Sequence, residues 1–290
     1  MNMSVNEIAI ISGKGGTGKT SITASLIPYL DNLIIADCDV DAPDLNILVN
    51  GRTLEFIDFY GFKRPIIDES KCTKCGICYD NCNFNAINSD ISIKENRCEG
   101  CHVCELVCPS GAITMVDYKI GDIFIRNSDY GLMVDAKLIP GEESSGKLVS
   151  EVRNLAKKEA KLANKENILI DGSPGIACNV ISAITGVNKV IIVTEPSISG
   201  LHDLKKVYKL TQTFSLDTAV IINKSDLNTT LNQKIKDYCK SEGILLLMEI
   251  PYTKSILEAI NNKEIPSNTN INLFKSKEWN DVINFIKKTS

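Results

Sequence analysis

Eight of the eleven cysteines in this 290-residue chain fall between Cys72 and Cys108, and they form an internal repeat. KCTKCGICYDNCNFNAI, residues 71–87, aligns with RCEGCHVCELVCPSGAI, residues 97–113, at a fixed offset of 26 residues. Every cysteine in one half has a counterpart in the other half, and both halves end in Ala-Ile. A duplicated supersecondary unit is the simplest explanation of such a repeat. The segment is therefore predicted to fold as a small module of its own.

The spacing within each half is Cys-x2-Cys-x2-Cys-x3-Cys. A disulfide framework is not expected in a reducing compartment, so this crowding indicates metal or cluster ligation. Both halves resemble bacterial ferredoxins with two [4Fe–4S] clusters, in which the fourth cysteine of each run serves the other cluster. The resemblance implies one ligand set for each cluster. The sets are Cys72, Cys75, Cys78 and Cys108 for the first cluster, and Cys98, Cys101, Cys104 and Cys82 for the second.

Zinc is the competing interpretation, because paired Cys-x2-Cys units also build tetrahedral Zn–S4 sites. Two zinc sites do not require a third and a fourth cysteine at matched spacing in each run, which favours clusters. The first run departs from the ferredoxin pattern, because Asn83 stands where Pro109 stands in the second run. Proline removes an amide donor. The exchange therefore predicts altered hydrogen bonding at the cluster that Cys82 would ligate.

A glycine-rich loop, GKGGTGKT, occupies residues 13–20 between an apolar β-branched run and a segment with helical spacing. This is the P-loop pattern in the strand-loop-helix context that it requires. Glycines let successive backbone N–H groups face a phosphate, and the helix N-terminus adds partial positive charge. Lys19 is predicted to reach the β- and γ-phosphates, and the Thr20 hydroxyl to ligate Mg²⁺. The residues predicted to bind ATP through this loop are Gly13, Lys14, Gly15, Gly16, Thr17, Gly18, Lys19, Thr20 and Ser21.

Short apolar runs that end in polar residues alternate with helical patterns at the start of the chain and again after residue 118. This alternation predicts an α/β fold, a mostly parallel sheet with helices on both faces. The predicted organisation is a discontinuous P-loop ATPase domain, residues 1–62 and 119–290. The inserted α+β ferredoxin-like module covers residues 63–118.

A second lysine inside the loop, Lys14, distinguishes this P-loop from the common form. It resembles the deviant Walker P-loop of the MinD, ParA and nitrogenase-iron-protein ATPases. The resemblance implies that two subunits meet face to face over their nucleotides and that Lys14 reaches the partner's phosphates during hydrolysis. We therefore expect an ATP-dependent dimer, either of two identical chains or with a related ATPase.

Polar residues at the ends of other apolar runs extend this resemblance. It implies that Asp39 orients or activates the attacking water, that Asp37 lies close to Mg²⁺, and that Asp171 holds Mg²⁺ through water. It also implies that the Asn223 amide reads adenine and that the loop at Pro251 closes over the base. Each has a plainer alternative, since aspartate also caps helices and Pro-Tyr also makes simple turns.

The three remaining cysteines and the C-terminal segment are expected to be structural. Cys38 and Cys239 are expected to pack as small apolar residues. Cys178 lies where the nitrogenase iron protein has a bridging-cluster cysteine, but no second cysteine matches, so we expect a buried or interface thiol. Residues 276–290 predict a helix, and its apolar face is expected to pack on the sheet rather than on a membrane surface.

The net charge of −4 gives no indication of a nucleic-acid partner, and no apolar run approaches the length of a membrane span. The first twelve residues lack the features of a signal peptide, so a cytoplasmic location is expected. We expect ATP, Mg²⁺ and two [4Fe–4S] clusters as cofactors. Three functions fit: an ATP-gated electron carrier with a protein redox partner, an ATPase that delivers clusters or metal cofactors to a client enzyme, and a MinD-like positioning or redox-sensing switch. The first is favoured because it explains why two redox centres share a chain with an ATPase.

Overall fold

The computed structural model describes residues 5–142 and 146–288. The first four residues of the segment considered as a signal peptide and the last two of the predicted C-terminal helix lie outside this part of the chain. Among the described residues, no helix combines the length and the apolar character needed to cross a membrane.

Strands and helices alternate through most of the chain. The strands are β1 Asn6–Ser12, β2 Leu33–Asp37, β3 Arg52–Tyr60, β4 Arg64–Ile67, β5 Ile113–Val116, β6 Lys119–Ser128, β7 Gly131–Leu138, β8 Asn167–Pro174, β9 Lys189–Thr194, β10 Asp217–Asn223 and β11 Leu245–Ile250. The helices are α1 Lys19–Leu26, α2 Leu45–Val49, α3 Ile77–Asp80, α4 Val103–Leu106, α5 Gly146–Leu162, α6 Cys178–Ile184, α7 Ile198–Thr213, α8 Thr229–Ser241, α9 Lys254–Asn261 and α10 Lys277–Lys287.

Nine strands form one sheet, in the order β11-β10-β9-β1-β8-β2-β7-β6-β3. The pairs from β11 to β7 are all parallel. The predicted fold class, a mostly parallel sheet with helices, is therefore confirmed. Because the central strands are buried on both faces, they consist almost entirely of β-branched and other apolar residues, as in β1 and β9.

The strands β6 and β7 are neighbours joined by only two residues, so they form a tight hairpin. The edge strand β3 is an addition that the sequence analysis did not anticipate. Eight of its nine residues are not buried, so the apolar and aromatic residues of RTLEFIDFY do not form the buried face from which a strand is predicted.

The C-terminal helix α10 packs in the main hydrophobic core. Its apolar residues Trp279, Val282, Ile283 and Ile286 are buried, and Trp279 makes edge-on ring contacts with Tyr29 and Phe274. The expectation that this face packs against the protein is confirmed. A Ser276 N-cap that accepts from the Trp279 N–H starts the helix.

The chain divides into two compact units. The larger comprises Met1–Phe56, Ile123–Lys137 and Ser144–Ser290, and the smaller comprises Ile57–Asp122 and Leu138–Glu143. The predicted domain boundaries at residues 63 and 118 remain predictions.

In the smaller unit, β4 and β5 pair in antiparallel fashion, with Ile67 opposite Ile113. Between the two halves, Ile87 bridges to Ile93 in a tight hairpin. Each half has one short helix, α3 in the first and α4 in the second. The repeat in the sequence is therefore a repeat in the structure.

Candidate functional site

The glycine loop follows β1, which lies between β8 and β9 at the edge where the carboxyl ends of the parallel strands meet. In an open α/β sheet, this edge is where ligands bind. Asp37 ends β2 and lies in register with Asp171 of β8, while Asn223 ends β10. Sheet topology thus brings together residues that are far apart in the chain.

Two glycines give the loop its shape. Gly16 and Gly18 have φ values of 77° and 91°, in the left-handed region that favours glycine. A Cβ at Gly18 would collide with the side-chain nitrogen of Asn223, which donates to the Thr17 carbonyl at 2.7 Å. Within the described residues, the Thr17 hydroxyl is buried and has no hydrogen-bond partner. A loop that is curled by left-handed glycines and carries a buried hydroxyl without a partner fits a phosphate ligand.

Lys19 lies against the carboxylates that surround the loop. Its Nζ is 2.9 Å from Asp171 Oδ1 and 3.3 Å from Asp39 Oδ2. Thr20 and Thr23 donate to the two oxygens of Asp171 at 2.7 and 2.9 Å. Burial alone lowers the pKa of Lys19, but the charges of Asp171 and Asp39 outweigh it and raise the pKa above its ordinary value.

Asp37 is completely buried, and its carboxylate accepts from the backbone N–H groups of Asp39 and Leu45 at 3.1 and 3.2 Å. Burial and the charge of Asp171 raise its pKa well above the ordinary value, although Lys19 opposes them. Burial also raises the pKa of Asp39, again against the charge of Lys19. Three carboxyl groups thus lie around one lysine. Such an oxygen-rich pocket suits Mg²⁺.

Lys14 is held within its own chain. Its Nζ lies 2.7 Å from Glu195 Oε1 and donates to the hydroxyls of Ser197 and Ser199 at 3.1 and 2.9 Å. Lys224 approaches the other oxygen of Glu195 at 3.1 Å and donates to the Gly16 carbonyl at 2.8 Å. Partial burial favours the neutral form of Glu195, but the two lysines outweigh it and lower its pKa.

A cavity of about 220 Å³ lies beside the loop. Polar atoms of the loop and of Asn223 line one side, and apolar side chains line the other, including Ile256, Leu257 and Phe274. Pro251 and Tyr252 also line it. A loop suited to bind phosphate, next to a largely apolar cavity, fits a nucleotide, whose base is flat and has apolar faces.

The structure brings most of the predicted ATP and Mg²⁺ residues to this one edge of the sheet. Asn223 lines the cavity, and its side-chain amide also donates to the Thr17 carbonyl of the loop, so its predicted role in reading adenine stays a prediction. Three residues of the site were not identified from the sequence: Thr23, Glu195 and Lys224. A signal existed for Glu195 and Lys224, because each follows directly after a parallel strand. Thr23 gave no such signal, since it is one more residue in the first helix.

The eight clustered cysteines line two separate cavities in the smaller unit. One cavity is lined by Cys72, Cys75, Cys78 and Cys108, and the other by Cys82, Cys98, Cys101 and Cys104. Each fourth cysteine thus faces the three cysteines of the opposite half. Four thiols at each cavity match the donor set of a [4Fe–4S] cluster. Among the described residues, no three metal-binding side chains converge on a position for a single metal ion.

Backbone amides point at the two fourth cysteines. The Ala86 N–H donates to Cys82 Sγ and the Ala112 N–H to Cys108 Sγ, both at 3.3 Å. The Ser110 hydroxyl also lies 3.6 Å from Cys108 Sγ. The hydroxyl and nearby amides lower the pKa of Cys108, whereas burial raises the pKa of Cys104 to about 11.

Arg64 fixes the start of the second cysteine run. Its guanidinium donates to the backbone carbonyls of Glu95 and Cys98 and pairs with Glu142 at 3.0 Å. It also stacks 5.0 Å from the centre of the Tyr118 ring. The Arg64 side chain thereby links the segment before Cys98 to Tyr118 and Glu142 of the same unit.

The remaining cysteines divide into two kinds. Cys38 and Cys239 are buried, as expected for small apolar residues. Cys178 is exposed at the start of α6, so of the two alternatives expected for it the buried thiol is wrong, and the interface thiol stays a prediction. Its position in the first turn of a short helix leaves its side chain outside the core.

Residues 8–266 match the family model of the CobQ/CobB/MinD/ParA nucleotide binding domain. The chain belongs to this family. Its P-loop, parallel sheet and carboxylate-lined edge are therefore those of a MinD/ParA-type nucleotide-binding ATPase, which bears out the resemblance recognised in the sequence.

Relatives of this MinD/ParA-family chain are found in methanogens. An uncharacterized protein of Methanocaldococcus jannaschii is 32% identical over 277 residues, which cover 94% of each chain. A shorter stretch of 57 residues is 44% identical to pyruvate synthase subunit PorD of the same organism, covering 18% of this chain and 66% of that one.

Solved structures support the same fold. The cell division ATPase MinD of Pyrococcus furiosus superposes with a TM-score of 0.56 at 18% identity and covers 98% of both chains. The McdA–ATP complex of Cyanothece has a TM-score of 0.57 at 14% identity, covering 99% of this chain and 98% of that one. At these identities the likeness concerns the fold alone.

Proposed function

We propose that this ATPase couples nucleotide-driven dimer switching to electron transfer through two [4Fe–4S] clusters. The observation that carries the proposal is the division of eight cysteines between two four-thiol cavities, with the fourth cysteine of each run crossing to the other cavity. Crossed ligation is the arrangement of two-cluster ferredoxins. The same chain carries a MinD/ParA-type nucleotide site.

The relatives favour a redox role. Besides the PorD similarity, a stretch of 51 residues is 33% identical to the delta subunit of the NADH-dependent phenylglyoxylate dehydrogenase of Aromatoleum evansii. Both named relatives are enzyme subunits, one of a pyruvate synthase and one of an NADH-dependent dehydrogenase, and each matches only a small part of this chain. Their similarity supports a cluster-bearing module.

Nucleotide binding would rearrange the ion pairs around the loop. Lys19 pairs with Asp171 and Asp39, and a phosphate would compete for it. Those carboxylates would then be available to Mg²⁺, Asp171 through water and Asp37 from nearby. Asp39 would be free to orient the attacking water. These changes occur at the ends of β2 and β8, where the γ-phosphate would order loops and its loss would release them.

Lys14 would act on the partner subunit's nucleotide. It must first leave Glu195, Ser197 and Ser199. A phosphate in the facing subunit offers it a stronger charge than a single carboxylate. The dimer would therefore form only with nucleotide bound, and cluster reduction or oxidation would follow the same cycle.

The test starts from anaerobically purified full chain with its clusters reduced. Oxidation by candidate acceptor proteins is followed spectrophotometrically with MgATP, with MgADP and without nucleotide. We expect MgATP to change the oxidation rate for at least one acceptor, and Lys19→Ala, with its clusters intact, to lose the effect. An identical rate under all conditions with every acceptor would contradict the coupling. Transfer of cluster iron to an apo-protein on addition of ATP would instead support cofactor delivery.

A further inference from the structure

The internal repeat allows the two cysteine cavities to be compared position by position. The counterparts share backbone conformation even where their side chains differ. Left-handed residues occur in matched pairs 26 positions apart: Lys74 with Gly100, Gly76 with His102, and Asn85 with Gly111. Because the backbones correspond, differences in the surroundings of the sulfurs must come from side chains.

The first difference is a hydroxyl at one fourth cysteine. Both fourth cysteines accept one backbone N–H at 3.3 Å, from Ala86 and Ala112. Cys108 Sγ also has the Ser110 hydroxyl 3.6 Å away, and the counterpart of Ser110 is Phe84, which has no donor. In the described part of the chain, no hydrogen bond joins the Asn83 N–H to a cysteine sulfur, so the missing proline supplies no replacement.

The second difference is charge. The cavity that contains Cys108 is lined by Thr73 and Lys74, and their counterparts in the other cavity are Glu99 and Gly100. A cation thus lines the first cavity and an anion the second. His102 also lines the second cavity, where its ring is hydrogen-bonded to Glu105 at 3.0 Å.

Both differences act in the same direction. Reduction adds one electron to a cluster, so a hydrogen-bond donor or a cation near the thiolates stabilises the reduced form and raises the potential. A nearby carboxylate does the opposite.

We propose that the two clusters differ in potential and that the cluster held by Cys72, Cys75, Cys78 and Cys108 has the higher one. This rests on the proposed function, since it takes both cavities to hold [4Fe–4S] clusters. The first electron from an external one-electron reductant would reside there. Each reduction is a one-electron change of one cluster, with no bond made or broken. Ser110 and Lys74 are positioning residues for this potential, and Glu99 lowers that of the second cluster.

The test is a redox titration of the anaerobic full chain, monitored by EPR and by square-wave voltammetry. We expect two one-electron transitions. Ser110→Ala should lower only the higher transition, with a shift of about tenfold in the ratio of oxidised to reduced cluster, or about 59 mV for one electron. Ser110→Thr keeps the hydroxyl and should keep the potential.

The repeat supplies reciprocal variants. Phe84→Ser places a hydroxyl beside Cys82 and should raise only the lower transition. Glu99→Thr should likewise raise the lower transition, and Thr73→Glu should lower the higher one. If Ser110→Ala loses a cluster on purification, these three variants still test the assignment. A shift of the wrong transition, or no shift in any variant, overturns the proposal.

Failure of the proposed function has a different signature. Iron and acid-labile sulfide analysis of the wild-type chain, with EPR of the reduced protein, reports whether two [4Fe–4S] clusters are present at all. Two intact clusters of equal potential would reject only the assignment made here.

Discussion

At the scale of single residues, the nucleotide site is a balance of four charges. Asp37, Asp39 and Asp171 surround Lys19, and the buried position of Asp37 disfavours its ionised form. The sequence indicated that these residues lie near one another, since Lys19 belongs to the loop motif and the three aspartates lie at or near the ends of apolar runs. It could not predict that Lys19 pairs with both Asp39 and Asp171, because this depends on distances across three strands.

The raised pKa of Asp37 predicts how stability depends on pH without nucleotide. Folding raises this pKa above the ordinary 3.8, so the folded state binds more protons, and stability falls as pH rises from that value through the raised pKa. The loss is about 1.4 kcal/mol per pH unit for one proton. Asp37→Asn removes this dependence. We therefore expect the difference in Tm between the variant and wild type to move in favour of the variant as pH rises.

Thermal unfolding of both proteins over a pH series, without nucleotide and Mg²⁺, measures this change in the Tm difference. Saturating MgATP should stabilise the wild type at neutral pH and stabilise Asp37→Asn less. A difference in Tm that stays constant with pH would show that the carboxyl ionises as readily in the folded chain as in the unfolded one.

At the scale of elements, the two cysteine loops keep one backbone with different residues. Glycine marks three of the six left-handed positions, and these were readable from the sequence. Of the other three, Asn85 and His102 belong to residue types that are enriched at positive φ, whereas Lys74 gives no warning of it. The module was therefore predictable from its cysteines, while its exact loop conformation was recognisable only through the repeat.

Two glycines in the second loop make a matched pair for measuring packing. Gly100 and Gly111 both have φ of 60°, but a Cβ at Gly100 would lie 2.7 Å from Phe62 Cβ and 2.8 Å from the Lys63 carbonyl, whereas at Gly111 it would meet no atom within 4 Å. Gly111→Ala should cost about 1 kcal/mol, from backbone conformation alone. Gly100→Ala should cost more, because the Lys63 backbone must also move.

Urea unfolding of the two variants, read by loss of cluster absorbance and by circular dichroism, measures the difference. Equal destabilisation would mean that the 62–63 segment yields freely and that Gly100 is needed only for its φ.

At the scale of the whole molecule, the parallel sheet was predictable and its edge was not. The buried strands carry short apolar runs that are typical of parallel sheets. In β3, by contrast, the side chains of Leu54 and Phe56 are 63% and 62% exposed, and the strand is recognised only by its place at the edge of the sheet. The contact between Lys14 and Glu195 was equally beyond sequence reasoning. The motif identifies the lysine, but its partner in the single chain depends on how β9 ends.

Lys14 gives the prediction that belongs to this scale. Lys14→Ala should still bind ATP, because the wild-type lysine is bonded to Glu195 and two serines rather than to the loop. It should remain monomeric with ATP and lose hydrolysis by about 10³-fold, in line with other charges supplied across a subunit interface. Light scattering coupled to size exclusion, with a phosphate-release assay, measures both effects.

Lys236→Ala is the matched control, since Lys236 also pairs with a glutamate, Glu249 at 2.8 Å, on another part of the surface. It should dimerise and hydrolyse ATP like the wild type. A Lys14→Ala chain that dimerises normally with ATP would contradict the role assigned to this lysine.

The contacts of Lys14 with Glu195, Ser197 and Ser199 also bear on kinetics. Because Lys14 already has an ion pair and two hydrogen bonds within its own chain, it is not drawn to the nucleotide of that chain. Under the proposed function, hydrolysis therefore needs two chains and becomes second order in protein. Turnover per chain would rise with concentration and vanish on dilution. The abundance of the protein, rather than the supply of ATP, would then determine when it consumes nucleotide.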